Sequence, residues 1–149
     1  MNAPYRPVRV AARALILIDG RVLLVNAYPG FAKELWCAPG GGAVPGEPLT
    51  ATLRREVWEE TGLDIHPGAL AGVSEFHEPD EGLHQVDLFF HARTDGRIDP
   101  AWRDPEGIVS RWHLATPDEL TRMRHKPDHL AAMAFDAGPA GYHGLELKV

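Results

Sequence analysis

The stretch Gly41–Leu63, GGAVPGEPLTATLRREVWEETGL, decides how the chain is read. Its second half is a helix by several independent signs. Leu49, Leu53 and Val57 recur every four residues, which puts them on one stripe of an α-helix. Pro48 suits the first helical position, where a missing N–H costs nothing. Gly62 suits the left-handed residue just past the end, with Leu63 placed to pack back on the last turn. The spacing therefore predicts a helix over Pro48–Thr61.

That helix carries an unusual charge pattern. Glu56, Glu59 and Glu60 stand at i, i+3 and i+4 and share one face. Like charges so placed repel, and Arg55, four residues before Glu59, offsets only part of the cost. A divalent cation offsets far more, and Mg²⁺ takes hard oxygen ligands. The lead-in Pro39-Gly40-Gly41-Gly42 lets backbone approach a ligand without Cβ interference. A solvated acidic helix after a glycine loop would explain Glu-Val-Trp-Glu-Glu alone. It does not explain the whole pattern of seven fixed identities and two apolar positions, which chance supplies about once in 10⁹ frames.

Upstream, Val10–Ile18 is almost continuously apolar, broken only by Arg13. Asp19-Gly20 and the apolar Arg21–Val25 follow, which reads as a tight hairpin because both turn residues must reach positive φ. The lack of strict alternation predicts strands covered on both faces. Asn26–Leu35 reads as an irregular loop, Trp36–Ala38 as a short strand and Pro39–Gly42 as a break. Downstream, Leu70–Phe76 and Leu83–Ala92 read as strands joined by the turn Glu78–Gly82. Ile108–Leu114 reads as a further strand, and Pro117–Arg124 and Asp128–Phe135 as short helices. The Gly/Pro-rich tail after Asp136 gives no assignment.

The whole chain sets bounds on function. Its 149 residues suit one domain with a real core. A net charge of −6 with no Lys/Arg cluster argues against a nucleic-acid partner. The single cysteine, Cys37, excludes an internal disulfide and a Cys-rich zinc site. With no secretory signal and no run of 18 apolar residues, the chain reads as a cytoplasmic enzyme or binding domain without membrane contact.

Gly41 through Leu63 resembles the Nudix box, Gly-x₅-Glu-x₇-Arg-Glu-aliphatic-x-Glu-Glu-x-Gly-aliphatic, at every defined position. The hairpin upstream and the Trp36-x-x-Pro-Gly-Gly lead-in agree with it. The resemblance implies an α/β/α sandwich around a mixed sheet, one Nudix domain over residues 1–149. It also implies attack of water on phosphorus in a diphosphate-containing substrate, supported by Mg²⁺ with Mn²⁺ as a substitute. By resemblance, Glu59, Glu60 and the carbonyl of Gly40 are metal ligands, and Glu56 binds metal or acts as general base. Arg55 orients a box carboxylate, Glu47 braces the loop near the helix start, and Gly41 and Gly62 are structural. Glu106 matches an additional acid that some relatives draw from a later loop, ahead of Asp104, Asp80 and Glu81.

Outside the box the residues speak less. Tyr28, Phe31 and Lys33, in the loop before it, and Trp102 are candidate substrate contacts, although Trp102 fits loop packing as well. His125 and His129 are separated by Lys126-Pro127, which breaks a shared helix, so they read as a surface pair. Pro79, sixteen residues after Leu63, resembles a mark of ADP-ribose hydrolysis and equally fits a plain turn. Cys37 reads as a small core residue. The resemblance thus implies hydrolysis of a nucleoside di- or triphosphate or another nucleoside-diphosphate-linked compound, with ADP-ribose or a nucleotide sugar as the alternative substrate. A Nudix-fold sensor without catalysis is the rival of another class, and the resemblance admits a homodimer.

Overall fold

The computed structural model describes residues 6–30, 34–136 and 138–147. Its centre is a mixed eight-stranded sheet with helices on both faces, the α/β/α arrangement expected. Strand β1 (Arg9–Ile18) turns at Asp19 and Gly20, both with positive φ, into β2 (Arg21–Asn26). The two pair antiparallel, as the Asp-Gly signal predicts. Short strands β3 (Trp36–Cys37) and β4 (Gly40–Gly42) follow, then helix α1 (Leu49–Thr61). Strands β5 (Ile65–Glu78) and β6 (Leu83–Thr94) form a long antiparallel hairpin. Beyond it come β7 (Trp112–Ala115), α2 (Pro117–Leu120), α3 (Leu130–Phe135) and β8 (Gly141–Leu147).

The main sheet order is β3-β2-β1-β6-β5-β8, with β4 also on β1 and β7 also on β2. Strand β1 is parallel to β6 and antiparallel to β4. It is therefore covered laterally on both edges and can be apolar on both faces. One face carries Ala12, Ala14 and Ile16 against Leu53 and Val57 of α1. The other carries Leu15 and, from β6, Phe89 against Leu130 and Met133 around α3.

Helix α1 confirms its local signals with one adjustment. Pro48, the predicted first residue, is instead the N-cap with extended backbone, so the helix begins one residue later at Leu49. Gly62 is left-handed at φ 77° and its N–H reaches the Trp58 carbonyl. Leu63 is buried, as is the Leu53–Val57 stripe.

Elsewhere the sequence reading needs correction at some points and holds at others. Residues 40–42, read as a break, form β4, because three glycines can lie against Ala11–Arg13 where a side chain would collide. The strand expected over Ile108–Leu114 begins only at Trp112, since 107–111 is held as a loop by Asp104 and Asn26. The tail holds β8, parallel to β5. Pro79 opens a single 3₁₀ turn between β5 and β6, the plain-turn reading. His125 and His129 do not share a helix: His129 lies against His143, with ring centroids 5.0 Å apart. Among the described residues no helix is long and apolar enough to cross a membrane.

Candidate active site

The ends of β1 and β6, strand β4 and one flank of α1 enclose a cleft of about 280 Å³. Glu56 and Glu60 line it from the helix, Gly40–Gly42 from β4, and Glu106 from the later loop. Two of the three box glutamates on α1 thus meet the glycine strand directly. Space there is tight. A Cβ at Gly41 would stand 2.5 Å from Cδ of Glu56, and one at Gly40 would stand 2.0 Å from the Ala12 carbonyl oxygen. Glycine at these positions is what allows strand and helix carboxylates to come together.

The Glu60 carboxylate accepts the Gly40 N–H at 3.2 Å. Gly40 was expected to act through its carbonyl; the contact seen here is through its amide. Burial pushes the Glu60 carboxyl up to about 8, against the opposing pull of Arg13 and the Gly40 N–H, while Glu56 and Asp104 push it further. Glu56 is also held above the ordinary carboxylate range, first by burial, with Glu59 and Glu106 adding to the rise and Arg55 working against it. In both, burial is the first cause, and the neighbouring cations offset it only in part.

Arg55 is the organiser. Its guanidinium reaches Glu47 at 3.0 Å, Glu56 at 3.1 Å and Glu59 at 3.6 Å. The i+4 contact to Glu59 was expected; the shorter ones to Glu47 and Glu56 were not. Glu47 also accepts the Thr52 hydroxyl, so it braces the helix start. Glu59 does not line the cleft with Glu56 and Glu60. Among the described residues no three His, Cys, Asp or Glu side chains are gathered as a metal cage. The donors on offer are nonetheless hard oxygens, those of Glu56, Glu60 and Glu106, beside a glycine strand a Cβ would fill. That donor set fits Mg²⁺, which needs few protein ligands because it keeps several waters.

The loop bearing Glu106 is fixed rather than adventitious. Asp104 accepts backbone N–H groups from Glu106 at 3.0 Å and Val109 at 2.9 Å. Buried Asn26 accepts from Ser110 and Arg111 and donates to the Ile108 carbonyl. Asp104 thus acts on the loop, while Asp80 and Glu81 lie exposed in the 3₁₀ turn.

The remaining candidates separate clearly. Trp102 donates from Nε1 to the Glu59 carbonyl at 3.0 Å, and its ring lies edge-on to Trp58 and close above Gly62. It seals the C-terminal end of α1, the packing reading, and does not line the cleft. Tyr28 donates its hydroxyl to Glu78 at 2.8 Å and is likewise not a cleft residue, although its neighbour Ala27 is. Phe31 and Lys33 lie outside the described residues. Cys37, expected in the core, is half-buried and lines the cleft.

A second set was not anticipated. Arg9 and Arg13 of β1 and Gln85 and Asp87 of β6 form a polar floor to the cleft. Arg13 lies 3.3 Å from Asp87, and Gln85 joins Asp87 at 2.8 Å and Arg9 at 3.0 Å. Arg13 was visible as the lone interruption of an apolar strand. Gln85 and Asp87 were visible as polar residues at alternate positions of the predicted strand Leu83–Ala92.

A helix of box carboxylates folded onto a glycine strand at the edge of a mixed sheet defines a Nudix-type centre. The family model for the NUDIX domain matches residues 7–134, and the chain belongs to that family. Human NUDT18, an 8-oxo-dGDP phosphatase, is 28% identical over 97% of this chain. The NAD-capped RNA hydrolase NudC of Stutzerimonas stutzeri is 34% identical over 70% of it. The chain spans less than half of either relative, 46% and 36% respectively. Among solved structures, a NUDIX hydrolase from Nitrosomonas europaea superposes with a TM-score of 0.71 at 26% identity, covering 85% of this chain and 86% of that one.

Proposed function

We propose that this protein hydrolyses a phosphoanhydride bond in a nucleoside di- or triphosphate, or in another nucleoside-diphosphate-linked compound. The observation that carries this reading is the pair Glu56 and Glu60, both held above the ordinary carboxylate range at the glycine strand. Carboxyls desolvated in this way are costly to ionise unless a cation resides beside them. The names of the relatives, an 8-oxo-dGDP phosphatase and an NAD-capped RNA hydrolase, point to nucleotide-linked substrates of this kind.

Glu60, with Glu56 and Glu106 lining the same cleft, would hold Mg²⁺, and Glu59 and the Gly40 carbonyl are the further ligands that the resemblance implies. When bound, the ion neutralises diphosphate oxygens and lowers the pKa of an attacking water. The residues of the chain supply the rest. Glu56, already raised in affinity for protons, accepts the proton of the attacking water as general base. Arg55 keeps that carboxylate aimed by holding Glu47, Glu56 and Glu59 on one guanidinium. Gly40 orients Glu60 through its amide. Leu35, Phe76, Leu83 and Ile108 add apolar surface to the cleft lining, which lowers water access there.

Release of phosphate or pyrophosphate across a nucleotide panel, with Mg²⁺ and beside Glu60→Gln, tests the reading. Turnover lost in the variant supports it. Tight nucleotide binding by the wild type without turnover would favour a sensor domain instead.

A further inference from the structure

Three cationic side chains line the cleft among the described residues, and two are spoken for. Arg13 is paired with Asp87. Lys126 is paired with Asp128 at 3.1 Å and Glu146 at 3.7 Å. Arg9 alone has a neutral partner: its Nη1 donates to the Oε1 of Gln85 at 3.0 Å, and no carboxylate of the described residues pairs with it. The residue is exposed, so its charge can be reached by a ligand.

Its position is built from below. The Asp87 carboxylate is acceptor only, and its Oδ1 also faces Nε of Arg13 at 3.3 Å. The amide of Gln85 must then turn its NH₂ to Asp87, where the contact is 2.8 Å, which leaves its carbonyl facing Arg9. Gln85 is 1% exposed and Asp87 is 7% exposed, so this polarity is enforced in the interior. Gly42 completes the seat: a Cβ there would come within 2.6 Å of Nη2 of Arg9. A bare strand thus lies beneath a guanidinium that is oriented without being neutralised.

We propose that Arg9 anchors a non-reacting phosphate of the substrate, held in place by the Gln85–Asp87–Arg13 relay; this rests on the phosphoanhydride reading above. The guanidinium lies over Gly42, two strand residues from Gly40, or about 6.6 Å along β4. That places it beside the phosphate that Glu56 and Glu60 act on, one position removed. A planar guanidinium fork matches the oxygens of a phosphate, and the match is lost with lysine although the charge is kept. Substrate affinity, rather than the chemical step, is what Arg9 supplies.

The experiment compares wild type, R9Q and R9K in Mg²⁺ buffer by two readouts. One is steady-state hydrolysis of the best substrate in the nucleotide panel; the other is calorimetric binding of inorganic pyrophosphate. R9Q is expected to raise KM about 10- to 100-fold, the loss falling on KM rather than kcat, and to weaken pyrophosphate binding in parallel. R9K is expected to fall between. The exposed start of β1 tolerates both changes, and a melting curve verifies it. Unchanged KM and unchanged pyrophosphate affinity in R9Q overturn the proposal, as does a wild type that binds no pyrophosphate. A wild type that hydrolyses nothing yet binds pyrophosphate in an Arg9-dependent way sinks the hydrolase reading and leaves the phosphate anchor standing.

Discussion

Gly41 and Glu56 are in such close register that any side chain at 41 would occupy the volume of the Glu56 carboxyl group, with Cβ only 2.5 Å from its Cδ. Gly41 does not have positive φ, so alanine meets no backbone penalty there. Gly41→Ala is therefore expected to fold normally and to displace Glu56, lowering kcat by about tenfold or more. Matched melting curves with a reduced kcat would support this; an unchanged kcat would show that Glu56 need not occupy its present position.

Glu60 makes stability depend on pH in the metal-free protein. Its carboxyl rises from an ordinary 4.5 to about 8 through burial, so between those values the folded chain holds a proton that the unfolded chain has released. Stability then falls as pH rises, by up to about 1.4 kcal/mol per pH unit from this group. Glu60→Gln removes the effect. Denaturant melts at pH 5 and pH 8 in chelator should show the variant gaining on wild type at the higher pH. Parallel pH profiles would mean that Glu60 is not desolvated as described.

Arg55 draws the Glu56 carboxyl downward against the effect of burial. In Arg55→Met that restraint is gone, and the acidic limb of the kcat/KM profile is expected to move to higher pH, with kcat reduced about 10- to 100-fold. A fall in rate with the limb unmoved would separate Arg55 from Glu56 and leave it a role in helix structure alone.

Trp102 gives a prediction of the opposite kind. It bonds the Glu59 carbonyl and covers Gly62, so Trp102→Leu is expected to cost about 1–3 kcal/mol of stability and to leave KM within twofold. A large rise in KM with unchanged stability would restore substrate contact as its role.

Helix α1 was legible because three local signals coincide in it: the stripe Leu49-Leu53-Val57, the stop at Gly62 and the run Glu56-Glu59-Glu60. The β1–β2 hairpin was legible for the same reason, since Asp19-Gly20 fixes its turn. What escaped was set by tertiary contact. Strand β4 is three glycines, with no propensity of their own, and exists because β1 offers it a partner. Strand β8 is an exposed edge with glycines at 141 and 144, so no buried stripe announced it. Arg55 could be placed near Glu59 by helical spacing, but its shorter contact to Glu47 depends on how the preceding loop folds back. The floor of Arg9, Arg13, Gln85 and Asp87 needed the parallel pairing of β1 with β6, which no local pattern reveals.

The central claim is that Glu56 and Glu60 together support Mg²⁺-dependent cleavage of a phosphoanhydride. The most direct measurement is the Mg²⁺-dependent turnover rate of wild type, Glu56→Gln and Glu60→Gln on one substrate from the nucleotide panel. The account predicts folded variants whose kcat is lower by at least ~10²-fold, and a wild-type rate abolished by chelator. Near-full turnover in either variant, or a wild-type rate indifferent to chelator, would contradict it.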